Sequence, residues 1–435
     1  MVWRFALVLV SFLLLQSRGE AARMPQNSLI DSIVAEQVHR ESAICTLGNC
    51  NRVKDVVVGL VDEAGPKIRA YYEGHVDAKM QDRRFVIGSI SKTFVGAIIS
   101  EMAQEKKIDL DAPAANYLPR VSTKIPAPVP SFDGPNGRQE ITIRHLLTHT
   151  AGLPHQPDEI TGDDIVAQTK IRNHYSNAEL FRSFRMLKLS RAPGTKFQYS
   201  SFGFAVLTAV IETVDKKTFA ESLRERILQP LGMKNTGLQS KLSVLAPAYT
   251  ATGRVIPLAR QMYRHENYFD GAGGIESTAA DLLRYAAAQL GLSTYGKVPK
   301  KLGDAMMASQ EMQYLKRNAV NPGEGMHGVV PVFFKSVANF LKLDWAGYVG
   351  MDWFGNVEMN RVGHSGVVVG YKSSLTLDRK QKPVGVIVLT NSDFEGSDSI
   401  DGRISWQVAN AYVYCSVGDD DESAPKPQKS QPPCR

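Results

Sequence analysis

Ser89 and Lys92 stand three residues apart in Ile87-Gly88-Ser89-Ile90-Ser91-Lys92-Thr93-Phe94. A serine hydroxyl is a weak nucleophile at neutral pH and needs a neighbouring base. On a helix, positions i and i+3 share a face, so the Lys92 amine can sit beside the Ser89 hydroxyl. A lysine becomes a base when burial and nearby cations lower its pKa. The same spacing recurs at Ser423-Ala424-Pro425-Lys426, in a polar tail, so the pair takes its meaning from its company. Tyr199, in Pro193-Gly194-Thr195-Lys196-Phe197-Gln198-Tyr199-Ser200-Ser201, offers a phenol. His364, in Gly363-His364-Ser365-Gly366, offers an imidazole. Both are proton-transfer groups. No Gly-x-Ser-x-Gly elbow occurs, which argues against an α/β-hydrolase nucleophile. No His-Glu-x-x-His occurs either. His145 and His149 read as structural, and neither a metal nor a cofactor is implied.

These side chains need elements to hold them. Residues 89–105 keep helical period through Phe94, Ile98, Ile99 and Met102, which places Ser89 at a helix N-terminus, where the dipole favours developing negative charge. Residues 55–61 read as a buried strand and 67–72 as its hairpin partner, turned at Glu63-Ala64-Gly65-Pro66. Residues 28–40 read as a lead-in helix. Residues 110–300 read as mainly helical, with Pro/Gly-rich loops near 125–137 and 150–164. Residues 362–369, 373–377 and 384–389 return to strand, and 399–414 to helix. Sheet elements thus come from both ends, which predicts an α/β subdomain closed by both termini and an all-helical insertion.

The 435 residues are 43% hydrophobic and 22% charged, enough for a large core. The net charge of +7 comes without a polybasic run or an aromatic-interleaved basic patch, so nucleic acid is not an expected partner. Residues 1–21 read as a cleavable signal peptide: Arg4, then an apolar run from 5 to 15, then Gly19-Glu20-Ala21. That run is too short to span a bilayer, no stable membrane span is expected elsewhere, and a secreted or periplasmic location follows. Cys45, Cys50, Cys415 and Cys434 allow two disulfides in three connectivities; the short Cys45–Cys50 gap suggests a local staple. The expected plan is a lead-in with its cysteine loop over 22–52, the main domain over 53–415, and a disordered tail over 416–435. Oligomeric state is not readable.

Ser-x-x-Lys at Ser89, then Tyr199, then His364-Ser365-Gly366 resembles the three-motif site of the class C β-lactamase and D-alanyl-D-alanine carboxypeptidase family. The gaps are 110 and 165 residues. Three further stretches resemble the same family: 142–153 (Thr-Ile-Arg-His-Leu-Leu-Thr-His-Thr-Ala-Gly-Leu), 230–236 (Pro-Leu-Gly-Met-Lys-Asn-Thr) and 271–282 (Gly-Ala-Gly-Gly-Ile-Glu-Ser-Thr-Ala-Ala-Asp-Leu). The resemblance implies an α+β fold of the β-lactamase/transpeptidase type: an antiparallel sheet flanked by helices, an all-helical subdomain, and a cleft between them. It implies that Ser89 forms an acyl-enzyme and that Lys92 and Tyr199 share the base and acid work. The Tyr199 oxygen would sit near Lys92, whose charge would favour its ionised form. The oxyanion would rest between the backbone N–H groups of Ser89 and Val367. His364 would line the wall, either orienting Tyr199 or binding a substrate carboxylate, with Ser365 and Gly366 beside the substrate.

Two departures bear on substrate. Ser201 stands where the family places an amide, and a hydroxyl lacks the two-donor geometry of that group. His364 stands where the β-lactamases carry lysine. Both count against efficient β-lactam turnover, and the histidine variant resembles the carboxypeptidases, D-aminopeptidases, esterases and lactamase-like proteases of the family. By that resemblance the expected substrate is a peptide that ends in, or contains, a small residue. A carboxylesterase or weak β-lactamase on the same site is one alternative; an inactive or penicillin-sensing binding protein is another. Specificity would reside in cleft loops at 125–165 and 302–350.

Overall fold

The computed structural model describes residues 25, 27–46, 49–119, 130–135, 137–160, 165–238, 245–256, 267–311, 313–316, 347–356, 360–379, 382–393 and 400–417. The expected leader (1–21), the tail from 418 onward and much of the proposed cleft loops (125–129, 161–164, 317–346) lie outside those residues.

The centre is a nine-stranded antiparallel sheet. Its strands are β1 (Asp55–Asp62), β2 (Gly65–Tyr72), β3 (His75–Val76), β4 (Tyr314–Lys316), β5 (Gly347–Val349), β6 (Phe354–Asn356), β7 (Arg361–Val368), β8 (Tyr371–Asp378) and β9 (Val384–Thr390). They lie in the order β4-β5-β6-β7-β8-β9-β1-β2-β3. The two ends of the chain meet where β9 pairs with β1, with Val388 opposite Val58. The strands expected at 55–61, 67–72, 362–369, 373–377 and 384–389 are all present. The edge formed by β4, β5 and β6 was not expected; its strands are three residues each, too short for a period-two pattern to show.

Every residue of β1 and β9 is buried, because helices cover both faces of the sheet. Successive side chains alternate in direction. Val56, Val58, Leu60, Val384, Val386 and Val388 join one core with α1 (Asn27–Ser42) and α6 (Ile400–Val417). Val57, Val61, Ile387 and Leu389 join the larger core on the other face. That core includes α2 (Ser91–Gln104), α3 (Ser201–Asp215), α4 (Ala279–Leu290) and α5 (Lys300–Ser309). Helix α2 is buried from Ser91 to Met102, which makes it the axis around which the helical part packs. That part is not purely helical: Ser131–Gly134 pairs with Gly137–Glu140 in a hairpin, and Gly137 takes a φ of +88° that its turn requires.

Helix α1 is stitched to α6 and the sheet by buried polar contacts. Arg403 donates from Nη2 to Glu41 Oε2 at 2.7 Å and from Nε to Gln37 Oε1 at 2.8 Å. Tyr412 donates to Asp62 Oδ2 at 2.7 Å. Cys50 is disulfide-bonded, and its backbone lies opposite Cys45 in a short hairpin. No helix among the described residues is long and apolar enough to cross a membrane.

Removing one partner of a buried ion pair leaves an uncompensated charge. Glu41→Ala is therefore expected to destabilise the fold by about 3 kcal/mol, read from urea unfolding. A loss within error of zero would show that the Arg403 contact contributes nothing net.

Candidate active site

Ser89 lies in a tight 3-10 turn, Gly88–Ile90, that leads directly into α2. Where the turn runs into the helix, positions i and i+3 share a face, which brings Lys92 onto Ser89. Lys92 Nζ donates to Ser89 Oγ at 2.9 Å and to the Ala272 carbonyl at 2.6 Å. The turn is tied on three sides. Ile87 N–H donates to the Ile275 carbonyl at 2.9 Å, and Ile275 N–H to Ser91 Oγ at 3.1 Å. Ser373 Oγ, on β8, donates to the Ile87 carbonyl at 2.8 Å.

Two glycines let β7 touch this turn backbone to backbone. Gly88 has a φ of +53°, and a Cβ there would lie 2.8 Å from Val367 N. A Cβ on Gly366 would lie 2.0 Å from the Ile87 carbonyl oxygen. Val367 is thereby held beside Ser89 while keeping 37% of its surface exposed. Beyond Gly363, no strand among the described residues pairs with the outer edge of β7.

Lys92 has no exposed surface. Burial pulls its pKa down to about 7, Asp352 opposes the shift and Arg172 adds to it. The ammonium also lies 5.0 Å from the Tyr199 ring centre and 5.8 Å from that of Phe204. Tyr199 is buried, and its hydroxyl makes no hydrogen bond among the described residues. Burial pushes that hydroxyl well above its usual range, the Asp352 charge adds to this, and the nearby Ser89 hydroxyl pulls the other way. These influences run against the expected ionisation of Tyr199. Burial and the Asp352 charge thus favour the protonated phenol, with Lys92 Nζ over the Tyr199 ring.

His364 is buried on β7 with no exposed side-chain surface. Its Nδ1 donates to the Ser365 carbonyl at 2.6 Å, and its Nε2 lies 2.8 Å from Asp352 Oδ2, off the line of a hydrogen bond. Its ring centre lies 6.3 Å from that of Tyr199. Of its two expected roles, the geometry fits placement behind Tyr199 and not contact with a substrate carboxylate. Ser365 is half-buried beside it. Ser201 begins α3, its hydroxyl 3.4 Å from His155 Nε2. The His155 ring opens onto solvent, yet surrounding atoms crowd it, and burial, then Lys92, hold its pKa at about 4. The structure thus gathers Ser89, Lys92, Tyr199, Gly366 and Val367 around one point, places Ser201 at its rim and sets His364 behind it.

The sequence reading missed Asp352, and no motif surrounds it. It lies between β5 and β6, and its Oδ1 meets His149 Nε2 at 2.5 Å. Burial pushes this carboxyl up, but the adjacent His364 and His149 rings outweigh it and hold it at about 2. His149 Nδ1 accepts the Ser200 N–H at 3.0 Å, and its ring lies 4.4 Å from that of Tyr199. The stretch 142–153 therefore braces the Tyr199 segment: Gln198 N–H donates to the His149 carbonyl at 2.7 Å and Gly194 N–H to that of Thr150 at 2.8 Å. The stretch 271–282 supplies the Ala272 carbonyl to Lys92. The stretch 230–236 docks through Thr236 Oγ1, which donates to Asp281 Oδ2 at 2.9 Å.

Gly366→Ala is expected to push β7 off the Ser89 turn. A misplacement on the order of 1 Å costs about 100-fold in reactivity, so Ser89 labelling by a fluorophosphonate should slow by that order. Circular dichroism should stay at wild type. Unchanged labelling would show that the close approach is dispensable.

The Beta-lactamase family profile matches residues 37–410. The chain is similar to Protein flp of Staphylococcus aureus (strain MW2), 23% identical over 357 residues that cover 80% of this chain and 61% of that protein. It thus spans about three fifths of the length of that relative. It is also similar to the putative penicillin-binding protein PbpX of Bacillus subtilis (strain 168), 25% identical over 261 residues, 57% of each chain. In structure it resembles a beta-lactamase/D-alanine carboxypeptidase from Yersinia pestis, with a TM-score of 0.64, 19% identity and coverage of 89% of this chain and 99% of that one. The family match covers most of the residues from α1 to α6, and the structural likeness shows the β-lactamase/transpeptidase-like fold. The chain belongs to the beta-lactamase family.

Proposed function

We propose that this protein is a serine hydrolase that cleaves an amide or ester through an acyl-enzyme on Ser89. The observation that carries the reading is the buried Lys92 amine, hydrogen-bonded to Ser89 Oγ and pulled down to about 7. A base of that strength is half neutral near physiological pH, where general-base catalysis works best. In acylation, Ser89 Oγ forms a bond to the acyl carbon and its proton passes to neutral Lys92. The carbonyl oxygen takes the charge, between the N–H groups of Ser89 and Val367. Tyr199, as a neutral phenol, protonates the leaving nitrogen or oxygen as the acyl bond breaks, and Lys92 returns a proton to it. Water then attacks the ester, giving one proton to Lys92, and Ser89 leaves with a proton restored.

The favoured substrate is a peptide ending in, or containing, a small residue, in the manner of the D-alanine carboxypeptidases it resembles in structure. Ser201 and His155 at the rim support a narrower polar contact than an amide would make, and they keep a carboxylesterase as the second reading. The apolar run at 5–15 and the disulfide-bonded Cys50 support a secreted or periplasmic location, since disulfides persist in oxidising compartments.

The test is covalent labelling of the mature protein by a fluorophosphonate and by a fluorescent penicillin, with peptide mapping. An adduct on Ser89 that disappears in Ser89→Ala is expected. No adduct with either probe on folded protein would sink the enzyme reading in favour of a binding protein. The rate should also depend on pH with a definite sign. Protonated Lys92 cannot accept a proton, so labelling should be slow in acid, rise through about pH 7 and level off above it. A profile flat from pH 5 to 9 would remove Lys92 from the base role. Ser201→Asn, which supplies the missing donor, is expected to speed penicillin acylation by about fivefold, the worth of one neutral hydrogen bond. An unchanged rate would show that Ser201 does not limit β-lactam recognition.

A further inference from the structure

We infer that Asp352 is a positioning residue for the acyl transfer proposed above: one buried carboxylate joins His149 to His364 and so holds Tyr199 and β7 in place against Ser89. This rests on the Ser89 reading. The geometry is specific. Oδ1 meets His149 Nε2 at 2.5 Å, and Oδ2 lies 2.8 Å from His364 Nε2 as a close electrostatic contact rather than an aligned hydrogen bond, with none of the three side chains exposed. The Ser200 N–H occupies His149 Nδ1, so the His149 proton lies on Nε2, aimed at the carboxylate. The backbone immediately after Tyr199 is thus linked to Asp352 through one imidazole. The other imidazole donates to the Ser365 carbonyl, two residues before Val367. One side chain therefore couples the segment carrying the phenol to the strand carrying the oxyanion N–H.

Asp352 is itself pinned. Its N–H donates to the Leu147 carbonyl at 3.2 Å. The preceding Met351 carbonyl fills the space where a Cβ on Gly96 would sit, 2.4 Å away, one helical turn beyond Lys92 on α2. Asp352 and His149 both adopt left-handed backbone, with φ of +64° and +57°. Such strain at two non-glycine residues in contact persists only where the surroundings impose it, and it clusters at functional sites. A buried ion pair kept for stability alone is replaceable by apolar side chains; this one sits where its charge reaches Lys92 and Tyr199. The ionisable groups facing this locus are Lys92 on α2, Tyr285 on α4, Tyr199, His149 and His364, with Arg172 and His155 beyond them.

Asp352→Asn separates the charge from the shape. The amide oxygen still accepts from His149 and its N–H faces His364, while the negative charge is gone. Labelling of Ser89 by a fluorophosphonate, measured from pH 5 to 9, should fall in plateau rate on the order of 100-fold. Its acid limb should move to lower pH, because the carboxylate no longer favours the Lys92 ammonium. A plateau at the wild-type rate, or a slower plateau with an unmoved limb, overturns the positioning role and leaves the Ser89 reading standing. Failure of the wild type itself to label overturns the Ser89 reading and this inference with it. A measurement that needs no variant guards against misfolding: the His149 Nε2 proton of the wild type should appear as a downfield, exchange-protected NMR resonance. Its absence overturns the bridge.

Discussion

An ammonium group with no access to water is the constraint around which this molecule is arranged. Taking Lys92 out of solvent disfavours its charged form, and nothing in α2 alone does this. The burial needs α3 and α5 packed along α2, the Gly271–Gly274 segment closing over its N-terminus, and the Tyr199 and Phe204 rings covering the amine. The Ala272 carbonyl and Ser89 Oγ then serve as its acceptors. The helical part is thus the insulation of one amine, and the low pKa is a property of the whole assembly.

The second requirement is contact. The sheet contributes to the site only if β7 lies against the turn before α2, and backbone can approach backbone that closely only where a Cβ is missing. Gly88 and Gly366 provide the gap, and Ser373 on the neighbouring strand fastens it through the Ile87 carbonyl. Because β8 leads into β9 and β9 pairs with β1, the position of β7 depends on strands from both ends of the chain. Helices α1 and α6 brace the far face of those strands through the Arg403–Glu41 pair, so a contact remote from the cleft bears on its shape.

The two departures from the family pattern also fit this arrangement. A histidine in place of lysine at position 364 is short enough to be enclosed, and enclosure turns it toward Asp352 and the Ser365 carbonyl rather than toward the cleft. A serine in place of the amide at position 201 leaves room at the rim that the His155 ring borders. Hydroxyl and phenol side chains therefore border Lys92, with the His155 imidazole beyond them at the rim.

What the sequence determined by itself were the features that local pattern encodes. The helical period from Phe94 to Met102, the apolar strands at both ends, and the i, i+3 spacing of Ser89 and Lys92 each depend on neighbours a few residues away, and each stands in the structure. The order of the motifs carried the fold through resemblance to a family. Tertiary structure alone decided the rest. Strands β4 to β6 are too short to leave a periodic trace. The direction in which Tyr199 shifts follows from its burial and the nearby Asp352 charge, which no spacing encodes. Asp352 sits 203 residues from His149 and 12 from His364, within no motif, and becomes visible only when three distant segments close around it. Long-range contact and burial set those properties, because the electrostatics of a group follow from everything packed around it and not from the residues beside it in the chain.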